Sequence, residues 1–201
     1  RPHQKLVWVQ DMMIEGTHFD LKYWDFKSVG YKSLARNLSD MAAMGGRPLY
    51  AQVSLALPKG INDTYVLQIY RGMLFLANTH KIKIVGGDLS SAKQIVIDVS
   101  LLGTVENPLT RSGAQVDDLI YVTGFMGLAH SGYTALKSSK KTTHGKRRFL
   151  HPEIRLAFSQ KLAKLASRCI DLSDGLANEL QLLSSASKKK FSIELGKIPL
   201  H

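Results

Sequence analysis

The hydrophobic and polar positions change period several times along the chain, and each change marks an element. From Leu6 to Ile14 the residues read as a strand with one polar pair, Gln10-Asp11, in its middle, and Glu15-Gly-Thr-His-Phe19 then turns the chain. From Ser28 to Met44 the spacing is helical. Leu34, Leu38, Met41 and Ala42 share one face, and Gly45-Gly46 with Pro48 supplies the stop. Leu49 to Leu57 alternates as a strand closed by Pro58. Asn62 or Asp63 caps the next helix, whose apolar positions are Val66, Ile69, Met73, Leu76 and Ala77. Ile82 to Val85 is a short strand ending in Gly86-Gly87-Asp88, and Ile95 to Val105 is a longer one.

Glu106-Asn107-Pro108 has the character of a linker, which divides the chain into residues 1–107 and 108–201. In the second part the pattern predicts strands over Leu119–Val122, Ser167–Leu172 and Phe191–Leu195. It predicts helices over Leu128–Leu136, Glu153–Ala166 and Leu176–Leu183. The fold class is therefore α/β in two domains, and the open pattern reaching His201 reads as a second domain cut short. Arg1 in place of Met reads as a piece of a longer or processed chain. No repeat period is present.

Composition narrows the function classes. At 201 residues with 44% hydrophobic content the chain can bury a real core. No run has the length of a membrane span and no leader-type segment opens the sequence, so a cytoplasmic location is expected. The single Cys169 cannot form an internal disulfide and reads as a small core residue. The net charge of +11 is partly local: Lys137, Lys140, Lys141, Lys146, Arg147 and Arg148 occupy one stretch without an acid. No aromatic residue is interleaved with these cations as a base-stacking surface requires. A solvated loop or helix end is the expectation, and nucleic acid is disfavoured as a partner.

Candidate chemistry lies in the acids. Asp11 sits in a strand, while Asp40, Asp88 and the Asp171/Asp174 pair stand where an apolar segment meets a small-residue turn or a helix start. Ligand sites collect at such boundaries in open α/β sheets, and separated carboxylates that converge suit a hard divalent cation such as Mg²⁺. Two readings of Asp40 stay open: Ser39 or Asp40 caps a helix beginning at Met41, or Asp40 is a carboxylate held beside an apolar helix face for a ligand. Gly86-Gly87-Asp88 permits a close backbone approach to phosphate, and Arg111 has the planar fork suited to it. Ile170-Asp-Leu-Ser-Asp-Gly175 is either a strand with a Ser or Asp cap, or two acids flanking a metal with Ser173 near an anion. His18 is a candidate donor to an anionic substrate. A P-loop and a dinucleotide-binding glycine motif are both missing, as is any nucleophile-base pair.

Five segments together resemble the thiamine-monophosphate kinases, a family within the superfamily of aminoimidazole ribonucleotide synthetase, selenophosphate synthetase and a hydrogenase maturation protein. They are Asp11-x-x-x-Glu-Gly-x-His-Phe19, Gly30-Tyr-Lys32 running on to Asn37-Leu-Ser-Asp-x-Ala-Ala-Met-Gly45, Gly86-Gly-Asp88, Thr110-Arg-Ser-Gly-Ala114 and Ile170-Asp-Leu-Ser-Asp-Gly-Leu176. The resemblance implies ATP-dependent phosphorylation of thiamine monophosphate in a homodimer whose N-terminal domains pair through their strands. It implies Mg²⁺ on Asp11, Asp40, Asp88, Asp171 and Asp174, ATP on Gly87, Asp88, Arg111 and Ser173, and substrate on His18. No general base is expected, because the acceptor phosphate is already ionised. Gln10 departs from the family, which usually carries a hydroxyl residue there. A catalytically silent nucleotide-binding protein, or a related synthetase with another substrate, is the alternative.

Overall fold

The computed structural model describes residues 4–138 and 143–200. Four strands form one sheet: β1 (Lys5–Ile14), β2 (Arg47–Leu57), β3 (Lys83–Ser91) and β4 (Val96–Val105), in the order β1-β4-β2-β3. β1 and β2 run antiparallel to β4, while β2 and β3 are parallel and joined by a crossover helix. Two helices, α1 (Phe26–Ala43) and α2 (Asp63–Thr79), cover one face. Strand alternation dictates which side chains they cover. Val7 and Met13, Ala51 through Leu57 in steps of two, and Ile97, Val99 and Leu101 are buried, whereas Leu6, Trp8 and Met12 point to the other, open face. Each fully buried aliphatic side chain contributes about 1.5–3 kcal/mol relative to an exposed one.

Both helices start on side-chain caps. Asp25 accepts from the Ser28 N–H at 2.7 Å, and Asn62 accepts from the Thr64 N–H at 2.8 Å. α1 ends where the Gly46 N–H returns to the Met41 carbonyl at 2.9 Å. The helices meet backbone to backbone. A Cβ on Gly30 would fall 1.8 Å from the Ile69 carbonyl oxygen, and one on Gly72 would fall 2.0 Å from that of Lys27, so both positions require glycine.

The structure corrects several expectations. Asp40 lies inside α1, three residues before its last residue, so neither it nor Ser39 caps a helix beginning at Met41. β3 does not stop at Val85. Ile84 pairs with Ala51 and Gly86 with Gln52, leaving Val85 as a one-residue bulge that lets the strand continue through Asp88 to Ser91.

Beyond Val105 the described chain contributes α3 (Leu128–Lys137), α4 (Thr143–Leu150), α5 (Leu156–Leu162), α6 (Leu176–Ser187) and a 3₁₀ turn over Leu195–Lys197. The strands expected over Leu119–Val122, Ser167–Leu172 and Phe191–Leu195 do not form. None of these segments finds a neighbouring strand among the described residues, and an apolar run without a ladder partner has no reason to stay extended. Leu119 and Tyr121 are accordingly 77% and 82% exposed. The helix expected over Glu153–Ala166 is shortened to α5, its continuation tightening into turns in which the Leu165 N–H bonds the Leu162 carbonyl at 2.8 Å. Cys169 is half-buried on one of these irregular segments, outside the core cluster.

The basic stretch carries α4, with Lys140 and Lys141 outside the described residues. α4 and α5 are fastened to α1 by polar contacts. Lys32 Nζ donates to the Phe149 carbonyl at 2.8 Å while lying 3.9 Å from the centre of that ring and 5.0 Å from that of Trp24. Ser159 Oγ donates to the Ala42 carbonyl at 2.5 Å. Among the described residues no helix is long and apolar enough to cross a membrane.

Candidate functional site

Three distant parts of the chain meet at the C-terminal half of α1. Ser39 Oγ donates to Asp171 Oδ2 at 3.0 Å, which joins α1 to the segment preceding α6. Asp11 points from the helix-covered face of β1 and pairs with Arg36 of α1, Nη2 to Oδ1 at 3.0 Å and Nε to Oδ2 at 3.2 Å. Asp40 lies half-buried between these groups. Burial raises its pKa from 3.8 to about 7, with the charges of Asp171 and Asp11 adding to the rise and Arg36 and Arg111 opposing it. An acid so placed, with two more acids beside it and only Arg36 and Arg111 opposing them, favours taking up a proton or a cation.

Asp88 and Asp174 occupy different surroundings. Asp88 pairs in register with Ser54, and Ser54 with Asp98 and then Met12, so Asp88 belongs to the open face of the sheet, opposite to Asp11. The intervening backbone explains Gly87. Its φ is +150°, and a Cβ there would stand 1.8 Å from the Val53 carbonyl oxygen, so only glycine lets β3 lie against β2 here. Asp174 and Ser173 precede α6 and are exposed. Their loop is held from behind by Glu179, whose Oε1 accepts from the Asp174 N–H at 2.9 Å and from Ser173 Oγ at 3.3 Å. Glu179 is 2% exposed, and its Oε2 has no hydrogen-bond partner among the described residues.

Arg111 is placed by its backbone, since its carbonyl accepts from Ser187 Oγ at 3.0 Å and the neighbouring Thr110 carbonyl accepts from the Cys169 N–H at 3.3 Å. The loop after β1 is equally fixed. The Glu15 N–H donates to the Ile95 carbonyl at 2.9 Å, and Glu15 Oε2 accepts from the Ile95 N–H at 3.1 Å. His18 Nδ1 accepts from the Ile14 N–H at 3.0 Å. That bond assigns the proton of a neutral ring to Nε2, making Nε2 the nitrogen able to donate to an anion.

The structure therefore brings Asp11, Asp40, Asp171 and Arg111 into mutual electrostatic range. It places Gly87 and Asp88 on β3, at the opposite edge of the sheet from β1 and with Asp88 on its other face, Ser173 and Asp174 on the loop adjoining Asp171, and His18 in the turn after β1. Among the described residues no three His, Cys, Asp or Glu side chains are grouped closely enough to enclose a metal. Sequence reasoning missed Arg36, Ser39 and Glu179. Arg36 lies four residues before Asp40 on α1, a spacing that could have flagged it, and Ser39 stands next to Asp40. Glu179 carries no local signal, because its role depends on the chain turning back before α6.

Residues 1–105 match the family of AIR synthase related proteins, N-terminal domain, and the chain belongs to that family. Within it, the chain is similar to thiamine-monophosphate kinases. It is 36% identical to that of Bacillus subtilis strain 168 over 98% of this chain and 64% of the relative. It is 33% identical to that of Aquifex aeolicus over 98% of this chain and 66% of the relative. The solved complex of AaThiL with AMPPCP and TMP superposes with a TM-score of 0.94 at 32% identity, covering all of this chain and 66% of that one. The chain thus spans slightly under two thirds of the length of these relatives.

Proposed function

We propose that this protein is a kinase that transfers the γ-phosphoryl group of ATP to thiamine monophosphate, giving thiamine diphosphate by direct in-line displacement. The observation that carries the reading is the convergence of Asp11, Asp40 and Asp171 from β1, α1 and the pre-α6 segment, with Arg111 beside them. The similarity to thiamine-monophosphate kinases and to a relative solved with AMPPCP and TMP supports it. Residues 1–107 would form the ATP-binding and dimerisation domain and 108–201 part of a second α/β domain, in a cytoplasmic enzyme.

The donor set fits Mg²⁺. All its atoms are carboxylate oxygens, Arg36 and Arg111 offset only part of their charge, and an open arrangement suits an ion that keeps several waters and takes only one or two carboxylates alongside phosphate. Asp11, Asp40 and Asp171 would hold it, with Asp174 on the adjoining loop, while Asp88, expected from the sequence to share the ion, stands apart on the opposite face of the sheet. When bound, the ion would supply neutralisation of the charge on the transferring phosphate. The protein's own groups do the positioning. The Gly87 backbone and Asp88 border the nucleotide, and Arg111 presents a bidentate fork to a phosphate oxygen pair. Ser173 is set by Glu179, and His18 Nε2–H donates to the substrate phosphate. A phosphate acceptor is already ionised at neutral pH, so no residue need remove a proton.

The open face of the sheet, with Leu6 and Trp8 at 73% and 71% exposure and Met12 and Tyr50 at 44%, is the surface through which we infer that two copies pair. A second reading, a silent nucleotide binder, is favoured by Gln10, whose Nε2 donates to Asp98 Oδ2 at 2.7 Å on the open face and so turns away from Asp40. A coupled assay for ADP release by the intact protein separates the two. The kinase reading expects turnover with thiamine monophosphate and Mg²⁺ but not with free thiamine. ATP binding without any monophosphate-dependent release would establish the silent reading.

A further inference from the structure

The basic stretch finds no use in the phosphoryl-transfer site, yet α4 brings its arginines to a cleft elsewhere. This cleft, of about 640 Å³, lies between the N-terminal half of α1, the C-terminal half of α2 and α4. Lys27, Arg147 and Arg148 line it, together with the imidazoles of His80, His144 and His151. Its lining includes one acid, Glu153, which is held by Arg148 at 3.0 Å and by Arg155 at 2.9 Å. Lys27 and Arg147 make no ion pair among the described residues.

The walls are built rather than incidental. His151 Nε2 is 3.1 Å from Ser28 Oγ, and its ring meets Tyr31 edge-on at 4.8 Å. Tyr31 Oη donates to the Pro152 carbonyl at 3.1 Å, which fixes the floor between α1 and the end of α4. Phe75, 59% exposed, stands 6.2 Å from Tyr31 and gives the cleft an aromatic wall beside its cationic one. Lys27 and Asp40 are thirteen residues apart on α1, roughly 20 Å along the axis, so this cleft is separate from the acidic site.

We propose that this cleft binds a small phosphate ester carrying a planar ring, at a site distinct from that of ATP and thiamine monophosphate. Its volume is that of a small-molecule pocket. The uncompensated Arg147 and Lys27 supply the charge-assisted donors that phosphate requires. Phe75 and Tyr31 supply the apolar surface for a ring. The inference does not depend on the kinase reading.

The test is a titration of the intact protein, labelled with ¹⁵N in its histidine rings, using phenyl phosphate and inorganic phosphate as probes at constant ionic strength. The ring signals of His80, His144 and His151 should shift together and saturably, with phenyl phosphate binding several-fold more tightly than inorganic phosphate. Arg147→Ala and Lys27→Ala should each weaken phenyl phosphate binding by about tenfold, the effect of losing one charge-assisted hydrogen bond. Asp40→Asn should leave it unchanged. Shifts that never saturate, equal affinities for the two probes, full affinity in both cation variants, or loss of binding in Asp40→Asn would each overturn the proposal.

Discussion

Residues 5–105 and 106–200 obey the same physical rules with opposite results. In the first region the apolar stripes on the helix-covered face of the sheet all have partners, and the sheet is left bare only on its open face. β4 lies between β1 and β2, two helices close the face behind them, and Val29, Leu38, Met41, Ile69, Met73, Ile97, Val99 and Leu101 are fully buried. In the second region Val116, Leu119, Tyr121, Leu165 and Leu195 are each at least 73% exposed, and among the described residues the only strand-type contact there is the isolated bridge between Met126 and Leu200. Periodicity in a sequence encodes which side of an element seeks a partner, while the element itself forms when that partner is present. The candidate site straddles the two regions: rigid acids on β1 and α1 meet a loop anchored by a handful of polar contacts.

The largest contrast should appear in stability. Ile97→Ala in the centre of the sheet is expected to cost about 3 kcal/mol, and Gly30→Val, which forces a side chain into the Ile69 backbone, at least as much. Leu119→Ala is expected to change stability by less than about 0.5 kcal/mol. Urea denaturation of the three variants checks the comparison, and an equal cost in Leu119→Ala would show that the second region is packed after all.

Glu179→Ala sharpens the contrast at the loop. It removes the acceptor for the Asp174 N–H and is expected to loosen that loop by about 1–2 kcal/mol, read as faster hydrogen exchange at the Asp174 amide. ATP binding should weaken while binding at the cleft between α1, α2 and α4 stays as it was.

A smaller effect concerns pH. The folded protein raises the pKa of Asp40 from 3.8 to about 7, so it holds a proton that the unfolded chain releases. The associated stability is fully present below about pH 4 and is lost as pH rises through 7. After discount for its partial exposure, the loss is about 1–2 kcal/mol in the absence of divalent cations. Asp40→Asn should flatten that slope, which denaturation at pH 5 and pH 8 measures. A small effect is also expected from Arg36→Met, since the Asp11 pair is about 30% exposed and worth under about 1 kcal/mol.

Much of this was legible beforehand, for reasons that can be named. β1, β2, β4, α1 and α2 follow their periodicity because each packs its predicted face against a neighbour. The run from Asn37 to Gly45 fixed the place of Asp40, and the structure decided that it sits within the helix and not at its start. The bulge at Val85 was hidden, because two glycines after a short apolar run look like an ending when they are a continuation. The strands at Leu119, Ser167 and Phe191 were over-read, since alternation alone does not supply a ladder. Glu179 was out of reach for the same reason that it matters: its partners come from a loop that only the fold folds back.

The central claim is that Asp40 is a functional carboxylate within a converging acidic cluster. Turnover of thiamine monophosphate by wild-type and Asp40→Asn protein, measured as ADP release across a Mg²⁺ titration with thermal stability monitored in parallel, tests it most directly. The account predicts a loss of about a hundredfold or more in Mg²⁺-dependent turnover, with the fold intact and the melting temperature unchanged or raised. Wild-type turnover in Asp40→Asn would contradict it.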